Sequence, residues 1–512
     1  TKPVSTPTAS EVSVAASKAQ PSPAASVPPA LSTSAAKPAP SPATVRSGRK
    51  PLIIGAIAAI AVGGILLLGF VGWRVLFHKS DPQKIVEKPL EKPEIPQDPA
   101  GDLPPDPGTL AKPDPQPEPK PEPRPEPKPD PKPNPATTAV ASSLSKVKVP
   151  GDAATIAKAI ELCKDGGTVE IAGGNYHESI QITKSISLIA EPSAVMEYDN
   201  SNVITARGPI KVTLRNLQIK NPTVDAKLPA EKSPALVVIY EGAEVHFDAC
   251  ALEKSTGDGV SAVKKAYVKF SNSKIRDNRG YGVNVRDASR VEMSFSDVRK
   301  NGSSGIAIMN GGSKGALDNN TTIAENFKNG VELGNGASLE CKGVTINQNK
   351  QVGLVVEASG SKAQLDASCV ISDNKHGIGV TNSASLVLAN SKLEGNNEDG
   401  LFVESGGTVE IDNCEFKSNG PVGAYLVNGA SSAMRISKSI FTSHSDAGIA
   451  VVEGKGVVSE CRFSGNKMAI FYGEKSSGRS AGNLIHPGPL EEVLILEKAG
   501  DVRLENNTIN PP

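Results

Sequence analysis

Nine glycines recur at almost constant spacing along this chain: Gly259, Gly282, Gly305, Gly330, Gly353, Gly377, Gly400, Gly423 and Gly448. The steps between them are 23, 23, 25, 23, 24, 23, 23 and 25 residues. A fixed period of roughly 20 to 50 residues marks a repeat architecture, in which no unit can bury its apolar face alone and each is stable only when stacked on its neighbours. Short alternating segments follow the glycines, such as Gly-Val-Asn-Val at 282–285 and Gly-Leu-Phe-Val at 400–403. Their apolar residues fall one and three places on, the period of a half-buried strand.

Matching columns run down the units. Ile275, Val298, Ile323, Ile346, Ile371, Leu393, Phe416, Phe441 and Phe463 share one register. Three places later stand Asn278, Asn301, Asn326, Asn349, Asn374, Asn396, Asn419 and Asn466, with His444 filling the gap. Two places before the apolar column lie small residues, among them Ser273, Ser296, Thr321, Cys369, Ser391, Cys414, Ser439 and Cys461. If each unit is one turn of a coil, with parallel strands roughly 4.8 Å apart, like residues stack on like. A buried asparagine then offers its amide N–H to the asparagine one coil on, which satisfies a group that is otherwise costly to bury. No helix-length pattern separates the strands, which argues against βαβ units.

In this register the chain resembles the right-handed parallel β-helix proteins of the pectin-lyase-like superfamily, over residues 147–512. The run from Gly151 to Ile160, the Gly166-Gly-Thr-Val-Glu-Ile171 segment and the Gly174-Asn-Tyr-His-Glu178 segment carry the N-terminal part of the likeness. The resemblance implies an all-β domain of roughly 12 coils, plugged at its first coil by a short amphipathic helix. Asp152 suits the N-cap of that helix; Ile156, Ala159, Ile160 and Cys163 give its apolar stripe, and Gly166-Gly167 its stop.

Three segments precede this domain. Residues 1–50 are rich in Ala, Ser and Pro, too poor in large apolar side chains to offset ordering entropy, and read as a disordered tether. Within 51–74, the apolar stretch Leu52 to Trp73 would span about 33 Å as a helix, enough for a bilayer core, with Trp73 as an interfacial anchor. Arg46, Arg49 and Lys50 lean towards a cytoplasmic N-terminus and an outward-facing β-helix. Residues 75–146 are a charged, proline-rich stalk; proline at alternate positions favours polyproline II, and the run could reach about 170 Å. The chain opens on Thr1 rather than Met, which points to an upstream extension. The layout resembles the outer half of a bacterial transmembrane Ser/Thr kinase, although no kinase motif lies in these 512 residues.

Lysine plus arginine and aspartate plus glutamate both number 55, so formal charge is zero, and the repeat region carries no nucleic-acid motif. Of the six cysteines, Cys250, Cys369, Cys414 and Cys461 sit in the small-residue column, at least two coils or about 9.6 Å apart, beyond disulfide reach. They read as buried free thiols. Neither cysteines nor histidines have metal-ligand spacing, and no cofactor is expected.

The outward positions carry few groups suited to chemistry. Glu357 and Glu404 share a column with Thr381 between them, about 9.6 Å apart, at the edge of the spacing used by inverting glycosidases. No basic or histidine partner occupies Thr381, so solvated glutamates are the expected reading, and Glu332 is read the same way. The aspartate and arginine clusters of pectinesterases, polygalacturonases and pectate lyases have no counterpart, which predicts a domain that is not an enzyme. Phe402, Tyr425 and Phe471 form an outward row with Ala450 among them, suited to stacking on sugar rings or on a protein partner. Segment 473–500 has the apolar content to fold back and cover this row, and cover is the favoured expectation. The function expected is surface recognition or scaffolding on polysaccharide or protein, with a surface polysaccharide lyase or hydrolase as the rival.

Overall fold

The computed structural model describes residues 144–199, 201–221, 229–486, 492–496 and 499–510. The expected tether, the membrane span at 52–73 and the stalk up to residue 143 lie outside the described residues. Among the described residues no helix is long and apolar enough to cross a membrane.

The described chain winds as a right-handed parallel β-helix with three strand columns. The first column holds the strands that follow the glycines, such as Val283–Val285, His376–Thr381 and Leu401–Val403. The second holds strands such as Arg290–Ser294 and Thr408–Asp412, and the third short strands such as Lys274–Arg276. The third column is a sheet of 15 strands, from Gly174–His177 to Thr508–Ile509, so the coil makes about 15 turns rather than roughly 12. The turns at both ends lack the glycine, which is why the repeat undercounts them.

Every predicted column forms. Ile275, Val298, Ile323, Ile346, Ile371, Leu393, Phe416, Phe441 and Phe463 pair rung to rung. The Phe416 and Phe441 rings stack at 4.6 Å between centroids, and Phe441 and Phe463 at 5.3 Å. In the asparagine ladder Asn349 Nδ2 donates to Asn374 Oδ1 at 3.0 Å and to the Ile323 carbonyl at 3.2 Å. Asn349 Oδ1 in turn accepts the backbone and side-chain N–H groups of Asn326. His444 fills its rung as expected, its ring nitrogens 3.1 and 3.3 Å from the Asn419 and Phe416 carbonyls. Glycine recurs because the ladder crowds it: a Cβ on Gly353 would lie 2.7 Å from the Gly377 carbonyl oxygen and 2.8 Å from Asn374 Nδ2. At most turns between the second and third columns the chain passes through one left-handed residue, such as Asn272 or Asn413, a conformation asparagine tolerates well.

The capping helix spans Ile156–Leu162 and buries Ile156, Ala159 and Ile160. Its N-cap is Thr155, not Asp152, which instead accepts from the Lys148 backbone N–H. Glu178, of the Asn-Tyr-His-Glu segment, accepts from the backbone N–H groups of Ile156 and Ala157 and so ties the helix to the coil. The helix stops before Gly166-Gly167, because Cys163–Ile171 is already strand.

All six cysteines are buried free thiols. Burial pushes Cys414 and Cys461 up to about 12, so these thiols stay protonated and serve as space-filling groups.

Candidate functional site

The outward face of the first column is a packed surface of its own. Gly379 leaves a hollow on its outer side: a Cβ there would meet the Phe402 ring at 2.3 Å. The Phe402 ring lies down into that hollow, clusters with Val352 and Val355, and is only 5% exposed. Starting on the next rung, Val422, Ala447, Ala450, Met468 and Phe471 form a second outer apolar cluster, with half-buried Tyr425 packed against it. The expectation that 473–500 folds back over this row is corrected for the described residues of that segment. The strand Met468–Ala481 instead pairs in parallel with Glu492–Leu496, Phe471 opposite Ile495, and Leu484–His486 continues the third column. These residues build a further rung, and the row is covered by its own neighbours. Of the three aromatics proposed for stacking, Phe402 and Phe471 are buried, and Tyr425 keeps a partly open face.

A group of titratable side chains lies between the two apolar clusters. His376 Nε2 is 2.7 Å from Glu398 Oε2, and its Nδ1 is 3.9 Å from Asp399 Oδ2. The imidazole also meets the Phe402 ring edge-on at 5.1 Å. Its Nδ1 is buried and makes no hydrogen bond. Lys375 Nζ lies 3.6 Å from Glu398, and Lys467 Nζ 3.3 Å from Asp446. Burial raises Asp399 to about 7; His376 opposes that rise and Glu398 adds to it. Burial likewise pushes Tyr425 up to about 12, helped by the charges of Asp399, Asp446 and Glu404.

Glu404 is 7% exposed, and burial raises its pKa against a hydrogen bond to the Asn428 side chain. The reading of Glu404 as a solvated glutamate is therefore corrected. The same holds for Glu332, which is buried and accepts from Ser304 Oγ at 2.9 Å. Glu357 is half-buried, two rungs from Glu404 across Thr381. Sequence reasoning missed His376 and Asp399, which stand just before Gly377 and Gly400, outside the alternating positions that follow the glycines. The signal that could have found them is the column preceding the glycines, where an acid follows a histidine one coil later. No group of His, Cys, Asp and Glu among the described residues is arranged to hold a metal ion.

Asp399 makes stability depend on pH. Its folded pKa lies above the ordinary 3.8, so its contribution is whole below about pH 4 and is lost as pH rises through about 7. A shift of this size corresponds to at most about 4 kcal/mol. Asp399→Asn, uncharged at every pH, is expected to flatten the fall in unfolding free energy between pH 4 and pH 8 by that order. Urea denaturation across this range checks it, and parallel pH profiles for variant and wild type would count against a buried acid here.

The geometry defines a solenoid with a partly buried group of titratable side chains on the outward face of its first column. The chain belongs to the right-handed β-helix region family, whose model matches residues 199–368 and 367–509, more than half of the sequence. No curated protein matches it. Among solved structures it is similar to the A-module of the mannuronan C-5 epimerase AlgE6 of Azotobacter vinelandii, at 14% identity and TM-score 0.37, covering 70% of this chain and 94% of that one. It is similar to the periplasmic alginate epimerase AlgG, at 12% identity and TM-score 0.38, covering 71% and 83%. The catalytic unit of a GH87 α-1,3-glucanase from Streptomyces thermodiastaticus matches at 13% identity and TM-score 0.38, covering 69% and 64%. The expectation that the domain is not an enzyme is corrected by these matches, which are themselves epimerases and a glucanase.

Proposed function

We propose that this β-helix recognises polysaccharide along the outward face of its first strand column, centred on His376, Asp399 and Tyr425. The observation that carries this reading is the half-buried Tyr425 set among the carboxylates of Asp399, Glu404 and Asp446. Carboxylates accept hydrogen bonds from sugar hydroxyls, and an aromatic face packs on the apolar side of a sugar ring. The stacked rungs extend this face along the coil, as an extended ligand requires. The apolar stretch 52–73 and the proline-rich stalk would display the domain outside the cell from a single-pass anchor. The test is affinity electrophoresis of the 512-residue chain in gels containing soluble polysaccharides. Retardation by at least one polymer, weakened roughly tenfold by Tyr425→Ala, is the expected result; unchanged retardation in that variant would remove Tyr425 from the site.

A second reading, acid–base chemistry on the bound glycan, is favoured by one feature: the Asp399 carboxyl, raised to about 7, faces a histidine. An acid that titrates near neutrality can give or take a proton under working conditions. Release of reducing or unsaturated products by the wild-type chain, lost in Asp399→Asn, would support it.

A further inference from the structure

From Val352 to Gly473 the outward face is built of three residue columns. The column before the glycines reads Val352, His376, Asp399, Val422, Ala447 and Met468. The column two places after them reads Val355, Gly379, Phe402, Tyr425, Ala450 and Phe471. The column four places after them reads Glu357, Thr381, Glu404, Val427, Val452 and Gly473. None of these positions holds lysine or arginine. The titratable groups on them are Glu357, His376, Asp399, Glu404 and Tyr425, with Glu398 and Asp446 at the rim. The two rim lysines, Lys375 and Lys467, are already ion-paired with Glu398 and Asp446.

A polyuronate brings one carboxylate for every sugar. Proteins hold such groups with arginine forks, lysine charges or bridging cations. Between Val352 and Gly473 this face offers none of the first two on its columns, Arg286 lying three rungs before Glu357, and its acids repel further anions, because they sit in a partly dry setting where charge is poorly screened. An uncharged glycan meets no such repulsion, and its hydroxyls can donate to the half-buried carboxylates of Glu357, Glu398 and Asp446.

We infer that this face selects uncharged polysaccharides and rejects polyuronates, with Glu404 and Asp399 as the discriminating residues. The inference rests on the glycan reading above and goes further by fixing the ligand's charge class.

The experiment measures retardation of the 512-residue chain by a soluble glucan and a soluble mannan, and by polygalacturonate and polymannuronate, at pH 8 in EDTA and low salt. EDTA keeps divalent cations from bridging carboxylates. At least one uncharged polymer should bind about tenfold or more tighter than either uronate. Raising the salt to about 0.5 M should narrow the gap, since screening weakens charge repulsion. Glu404→Gln, which keeps an oxygen acceptor and removes the charge, should also narrow it. A uronate bound as tightly as the best uncharged polymer overturns the inference and leaves the glycan reading standing. Retention by no polymer at all overturns both.

Discussion

Truncating the middle ring of the aromatic stack, Phe441→Ala, is expected to cost about 3–5 kcal/mol of stability, the usual penalty for removing a buried phenyl group. Phe441 is wholly buried, and its ring lies 13° from parallel with both Phe416 and Phe463. The void would open between two rings held in place by backbone pairing on either side, which leaves little room for collapse. Phe441→Leu fills most of that space and should cost less than about 1.5 kcal/mol. Stability in a stacked coil is a sum of unit and neighbour terms, so the loss should be local. Hydrogen exchange is the fitting measurement: amides between roughly residues 410 and 470 should lose protection while those near 270 keep it. A loss below about 1 kcal/mol, or one spread evenly over the coil, would show that the rings do not act as a packed stack.

The second large effect lies in the polar ladder. Asn349→Leu is expected to cost about 3–5 kcal/mol, several times a typical surface change, because it strands groups on both neighbouring rungs. The backbone N–H of Asn326 loses its acceptor, Asn349 Oδ1 at 3.1 Å, and the Ile323 carbonyl loses a donor. Asn374 Oδ1 keeps only the Asn349 backbone N–H, at 2.9 Å. None of these groups can turn to water, since Asn326, Asn349 and Asn374 are all buried. Leucine also brings branched carbon towards Gly330, where the amide already lies 2.8 Å from the Cβ an alanine would have. Asn349→Ala separates the two causes: it strands the same partners without crowding. Urea denaturation of both variants reads the result. A neutral Asn349→Leu would mean that the column does not work as a hydrogen-bonded ladder.

Much of the solenoid was legible because its order is local and repeated. One apolar residue, one asparagine and one glycine at fixed offsets gave the rung, and identical rungs can stack in few ways. The asparagine column and the Phe416, Phe441 and Phe463 stack could be named from spacing alone. Places where the repeat is broken were harder to read. The end coils lack the glycine, and the segment after Gly473 resembled a covering loop until its strand Glu492–Leu496 was seen to add a rung.

The outward face shows the same division. Spacing correctly set Glu357, Glu404, Phe402, Tyr425 and Phe471 on outer positions. It could not show which of them water reaches, since exposure depends on what each neighbour lacks. Phe402 is buried because Gly379 has no side chain, and Glu404 is dry because of what packs around it. His376 opens a strand while Glu398 and Asp399 lie in the bend of the next coil, so only the wound coil brings imidazole and carboxylates together. The sequence by itself determined the repeating rung, since period and register are properties of the chain. Tertiary structure alone decided which outward groups were desolvated and paired, because burial and charge coupling depend on distances between coils that no spacing along the chain records.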